Sequence, residues 1–132
     1  MRTRVLLSLA ALAVLGACDK EPSGPPAPVP GTLTVSLTAP GSAARAVMVT
    51  VSGPEAITAV ESANPAYVVH SRGSGTTFRA AVFGTLSSGA LLRFSVPDVG
   101  KAASYAVAVM EVADAENRIV EGSTGYSAAV SK

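Results

Sequence analysis

The sequence contains little of what catalytic and metal-binding sites commonly require. Its 132 residues include one cysteine, one histidine and no tryptophan, and charged side chains make up only 14%. A single cysteine cannot form a disulfide within the chain, and zinc sites need several Cys or His ligands. The ten basic and nine acidic side chains nearly cancel, so no electrostatic footprint indicates nucleic-acid binding. We therefore expect no nucleic-acid partner.

The single histidine, His70 in "YVVHSR", is the one side chain that suggests acid–base chemistry. Histidine can exchange a proton near neutral pH. However, the sequence contains no Gly-x-Ser-x-Gly motif, and the adjacent Ser71 would point to the opposite face of a strand. We expect a surface histidine and assign no catalytic residue. A hydrolase that uses His70 is the alternative.

The remaining polar and aromatic residues bear on two other ligands, calcium and glycans. "EVADAEN", from Glu111 to Asn117, offers oxygen ligands for calcium but lacks the spacing and glycine of an EF-hand, so we expect a solvated turn. Glycan recognition commonly uses exposed aromatic rings. Tyr105 is predicted to be core, whereas Tyr67 and Tyr126 are either exposed or buried with the hydroxyl paired. No metal or cofactor is predicted.

The first residues have the pattern of a secretory signal. Arg2 and Arg4 precede a largely apolar run over residues 5–14, and the small residues Gly16 and Ala17 follow. A run of about ten residues is roughly half the length that a membrane-spanning helix needs. Residues 1–17 are therefore predicted to be a cleaved signal peptide, which leaves eight basic and nine acidic side chains in the mature chain.

The end of this signal resembles the lipobox of bacterial lipoproteins: Leu15, Gly16 and Ala17 precede Cys18. The resemblance implies that Cys18 receives a diacylglycerol and becomes the acylated first residue of the mature chain. The alternatives are a free thiol or a small apolar residue ending a plain signal peptide. Two or more acyl chains give stable membrane residence. We therefore expect an envelope protein anchored at Cys18, periplasmic or surface-exposed. In enteric lipoproteins an aspartate directly after the cysteine, as at Asp19, favours the inner membrane. This rule transfers poorly between bacteria, so the choice between inner and outer membrane stays undecided.

Proline-rich sequence separates the predicted anchor from the rest of the chain. "DKEPSGPPAPVPG", residues 19–31, contains five prolines, which disfavour both helix and sheet. Residues 18–31 are therefore predicted to be a tether that holds the domain about 40 Å or less from the bilayer, at about 3.1 Å per residue. The rest of the chain, residues 32–132, is predicted to be one domain.

Beyond the tether, apolar residues alternate with polar ones, which is typical of β-strands with one solvated face. "TLTVSLT" and "AVMVTVSGP" show this pattern, and we predict that they form an antiparallel pair. "AITAVES" is a further predicted strand. "AYVVHSR" and "TTFRAAVF" flank glycines 73 and 75 and are predicted to form a hairpin.

The second half of the domain continues this pattern. "ALLRFSVP" places Leu92, Phe94 and Val96 on one face and ends at Pro97. "ASYAVAVMEV", residues 103–112, is apolar on both sides and is predicted to be a central strand. A short strand over residues 118–121 and a last one in "YSAAVS" complete the domain. We find no capped helical pattern after residue 31.

Eight or nine short strands at roughly ten-residue spacing predict an all-β fold: a single antiparallel β-sandwich, with a barrel as the alternative. Residues 57–119 also resemble the cohesin and carbohydrate-binding-module type of sandwich. The similar features are a strand opening on "AITAVES", the glycine-led strand "GALLRFSVP", a long apolar strand, and the polar turn in "ADAENRIV". This resemblance implies adhesion or binding of a protein or polysaccharide in place of catalysis. A structural lipoprotein without a specific ligand is the alternative.

Overall fold

The computed structural model describes residue 24 and residues 26–132. Within them, eight strands form two four-stranded antiparallel sheets. The strands are β1 (Gly31–Thr38), β2 (Ala44–Ser52), β3 (Thr58–Ser62), β4 (Val68–Ser74), β5 (Thr77–Phe83), β6 (Gly89–Val96), β7 (Ala106–Asp114) and β8 (Ser127–Ser131). The first sheet has the order β3-β6-β1-β8, and the second has the order β4-β5-β2-β7. The predicted β-sandwich is confirmed.

Alternating side chains create one apolar core between the two sheets. In β1, Leu33, Val35 and Leu37 are buried, and in β2 the same is true of Val47, Val49 and Val51. Every buried residue in the described part of the chain is hydrophobic. Phe94 of the first sheet meets Phe78 of the second edge to face, with ring centroids 5.5 Å apart. Apolar burial on facing surfaces therefore holds the sheets together.

The strands run alternately up and down, so the sandwich has two distinct ends. The chain enters β1 at Gly31, and at this entry end lie the connections 53–57, 75–76 and 97–105. At the opposite end, the loop end, lie the connections 39–43, 63–67, 84–88 and 115–126. Short 3₁₀ segments occur at Val99–Ser104 and Glu121–Ser123.

Several local predictions are confirmed. β4 and β5 form the expected hairpin, with Ser74 opposite Thr77 and a two-residue turn that opens on Gly75 at φ +70°. Glycine at this first turn position is typical of a type II′ hairpin. β6 ends directly before Pro97, and β8 occupies most of "YSAAVS".

The predicted pairing of β1 with β2 is wrong. β1 pairs with β6 and β8 in the first sheet, whereas β2 pairs with β5 and β7 in the second. The connection 39–43 therefore crosses between the sheets. Each of the two strands has one apolar face. This alternation is the same whether two successive strands pair within one sheet or face each other across the core, so it could not distinguish the two arrangements.

The prediction of a central position for "ASYAVAVMEV" is also wrong. β7 is an edge strand of the second sheet, and Ala106, Ala108 and Met110 are exposed. Val107 and Val109 face the core but are only half-buried. The alanines made both faces look apolar, although small side chains are tolerated on a solvated face. The strand predicted over residues 118–121 is reduced to a single bridge between Ala113 and Ile119.

Candidate functional site

The entry end fixes the last residues of the proline-rich segment against the domain. The Val29 N–H donates to Asp98 Oδ1 at 3.2 Å, and the Val99 N–H donates to the Val29 carbonyl at 2.9 Å. The same Asp98 oxygen accepts from the Gly100 N–H at 2.9 Å and thereby caps the 3₁₀ segment that follows. The chain is thus held against the domain from Val29 onward.

Charged groups at the entry end reinforce this junction. Hydrogen bonds from the backbone of Gly100 and then Val29 lower the pKa of Asp98 below its usual 3.8. Lys101 forms an ion pair with Glu55, and this hydrogen bond raises the pKa of the lysine. Burial raises the pKa of Tyr105, whose ring packs tilted against Phe94 at 5.7 Å. Tyr105 is buried, as predicted.

The loop end is held in shape by hydrogen bonds between its connections. Ser88 joins two loops, since its hydroxyl accepts from the Ala39 N–H at 2.9 Å and donates to the Ala39 carbonyl at 3.1 Å. The fully buried Leu86 anchors its own loop, and its N–H donates to the Ala44 carbonyl at 3.0 Å. Arg45 donates to the Ser42 carbonyl at 2.7 Å. Such preorganisation reduces the entropy lost when a loop surface binds a partner.

Of the predicted turn from Glu111 to Asn117, the residues up to Asp114 belong to β7, and the turn itself begins at Ala115 and is organised by the Asp114 side chain. Asp114 Oδ1 accepts from the N–H groups of Glu116 and Arg118, at 3.0 and 2.9 Å. Asn117 adopts the left-handed conformation, which asparagine tolerates. Across the described residues, no three His, Cys, Asp or Glu side chains gather where they could hold a metal ion. Asp114 thus serves this turn as a backbone cap.

His70 lies exposed on the outer face of β4, an edge strand of the second sheet. Its ring approaches Phe83 edge-on, with centroids 6.0 Å apart. Ser71, the next residue, alternates to the other face of the strand. No hydrogen bond joins His70 to a carboxylate within residues 26–132, so the hydrolase alternative gains no support from this geometry.

The two tyrosines left open by the sequence are both half-buried against the core. Tyr67 packs over Gly84, where a Cβ atom would lie 2.8 Å from the ring. This close approach, together with Gly84 at φ +151°, explains the glycine at that position. Neither ring is therefore a fully exposed platform of the kind on which sugars stack.

The feature that the sequence analysis missed is a row of apolar side chains across the outer face of the second sheet. Strand register places its members side by side from one edge to the other: Val68, Phe83, Ala46, Ala113 and Ile119. We call them the apolar row. Val68, Phe83 and Ile119 are 54%, 43% and 58% exposed, and Met110, 48% exposed, lies on β7 nearby. The sequence does contain one sign of this row: the alternation in β5 places the large apolar Phe83 on the solvent-facing side of the strand.

Cys18 lies outside the described residues, as do the predicted signal peptide and half of the predicted tether, residues 18–23 and 25. Among the residues with described structure, no helix has the length and apolar character needed to span a membrane. Comparisons with known proteins found no matching family model, no matching curated protein and no matching solved structure.

Proposed function

We propose that this protein is a lipid-anchored cell-envelope lipoprotein whose β-sandwich is a non-catalytic binding or adhesion domain for a protein or glycan partner. The observation that carries the proposal is the separation of the two ends of the sandwich. The proline-rich segment reaches the domain at the entry end, where Val29 is bound to Asp98, while four connections lie together at the loop end. A chain anchored at Cys18 would hold the loop end away from the bilayer.

The loop end also suits recognition better than chemistry. Loops positioned by a rigid scaffold are where sandwich domains most often bind their partners. Here the connections 39–43 and 84–88 are joined through Ser88, and the 115–126 connection is braced by Asp114. The cohesin-like or carbohydrate-module-like pattern of the sequence agrees with a binding role.

The anchor is tested by replacing Cys18 with serine. With a labelled fatty acid supplied to the cells, we expect the parent chain to incorporate label and Cys18→Ser to incorporate none and to be released or stalled. Fractionation of the parent then assigns it to the inner or the outer membrane. Equal labelling of the parent and the variant would contradict the anchor.

The binding surface is tested by site-specific photocrosslinking in intact cells. A photoreactive residue at Glu116 samples the loop end, and one at Thr76 is the matched control, because both positions are exposed in turns at opposite ends of the domain. We expect a discrete crosslinked product from position 116 and little from 76. Failure of both positions would favour the alternative, a structural envelope lipoprotein without a specific ligand.

A further inference from the structure

The outer face of the second sheet is graded from apolar to polar along the strands. Nearest the loop end is the apolar row. Three further rows cross β4, β5, β2 and β7 in that order. The second row is His70, Ala81, Met48 and Glu111, and the third is Arg72, Arg79, Thr50 and Ala108. The fourth row, at the entry end, is Ser74, Thr77, Ser52 and Ala106. The outer face of the first sheet lacks this gradient and carries hydroxyl side chains such as Thr34 and Ser36.

Side-chain size on this face is self-complementary. Consider a two-fold axis that runs parallel to the strands and passes between β5 and β2: it places β5 of one copy over β2 of the other. In the first three rows a large residue then meets a small one: Phe83 faces Ala46, Met48 faces Ala81, and Arg79 faces Thr50. Interdigitation of large and small side chains is how stacked sheets reach close packing.

The same rotation brings opposite charges towards each other at the edges of the face. Arg72 and Arg79 stand directly opposite each other on neighbouring strands, an unfavourable arrangement for like charges. Within the described residues, neither arginine forms an ion pair with a carboxylate. Glu111 lies exposed on β7, at the other edge of the sheet. The two-fold axis brings β4 of one copy over β7 of the other and so brings Arg72 within one row of Glu111.

We propose that this face is a self-association surface, on which two copies of the chain stack around a two-fold axis parallel to the strands. This axis leaves both entry ends pointing the same way, so both copies could be anchored in one bilayer, a point that rests on the proposed lipid anchor. The face measures about 450 Å² per copy, from strand spacings of about 4.8 Å and about 3.4 Å per residue.

An interface of this size is below the roughly 800 Å² per partner of stable complexes, so the dimer is weak in solution. Confinement to a membrane raises the effective concentration and favours association there. The aromatic, methionine and arginine residues on the face are those enriched in protein interfaces.

The test is sedimentation of the purified full-length chain in neutral detergent over a range of protein concentrations. We expect reversible dimers, and we expect Phe83→Asp to raise the dissociation constant at least tenfold, since it places a charge at the centre of the apolar row. Thr34→Asp on the outer face of the first sheet is the matched control and should leave association unchanged. Circular dichroism melts of both variants verify folding.

Charge reversal tests the orientation and does not depend on the folding of Phe83→Asp. Arg72→Glu and Glu111→Arg should each raise the dissociation constant about fivefold, and the double variant should restore it. The two residues lie at opposite edges of one sheet, so restoration can arise only between copies. A chain that stays monomeric at every concentration, or a double variant no better than the single ones, would overturn the proposal. Lipid labelling at Cys18 and loop-end crosslinking are read separately, so their failure is distinguishable from failure of the dimer.

Discussion

Phe94 joins the two sheets near the entry end, and its removal should be among the most damaging changes to the domain. The side chain is fully buried and contacts both Phe78 and Tyr105. Phe94→Ala removes most of a ring from the core, which costs about 3–5 kcal/mol. Each aromatic pair contributes about 0.5–1.5 kcal/mol beyond the area that it buries. A domain of ordinary stability, roughly 5–15 kcal/mol, would lose a large part of it.

The two components of this cost can be separated by a second variant. Phe94→Leu keeps most of the apolar volume and loses the two ring contacts, so it should cost about 1–3 kcal/mol. Arg93→Ala changes the exposed neighbour on the same strand and should alter the free energy of unfolding by no more than about 0.5 kcal/mol.

Urea or thermal unfolding of the three variants measures these differences. At about 4–8 °C per kcal/mol for a domain of this size, Phe94→Ala should lower Tm by at least about 12 °C. An equal loss of stability in Phe94→Ala and Arg93→Ala would mean that the rings do not lie between the sheets.

Three further predictions concern the entry end and β7. The pKa of Asp98 is lowered in the folded chain, so the stability that its carboxylate contributes is present above its usual pKa of 3.8 and is lost as the pH falls through the lower, folded-state value. Amide exchange at Val29, whose N–H is bound to Asp98, should accelerate over that pH range. Gly53→Ala would place a methyl group within the ring of Tyr105, and chemical denaturation should show a loss of about 1–3 kcal/mol. Val107→Asp would bring a carboxylate to the core side of β7 and should cost about 2 kcal/mol or more in thermal melts.

Each of these has a matched control in the chain. Asp98→Asn should abolish the acid-induced change in amide exchange, whereas exchange that still responded to acid in this variant would point to another group. Gly41→Ala adds a methyl group in open space and should be nearly neutral. Ala108→Asp changes the outward neighbour on β7 and should cost less than Val107→Asp; equal costs would contradict the assigned strand faces.

Local sequence patterns predict most of the strands and the side of each that faces the core. Alternation in "TLTVSLT" and "TTFRAAVF" identifies buried and solvated faces, because a strand presents successive side chains to opposite sides. Glycine and proline mark the turns, since the first permits positive φ and the second removes an amide donor. The lipobox around Cys18 and the proline-rich tether are likewise local patterns, and they remain predictions because they lie largely outside the described residues.

Which strands are neighbours depends on the tertiary fold. Strand pairing joins residues far apart in the chain, such as Leu33 with Phe94, and local periodicity carries no information about such partners. The assignment of β1 and β2 to different sheets and the edge position of β7 follow from these distant pairings. The apolar row has the same origin, because its five members come from four strands and a turn and become one surface only when register aligns them.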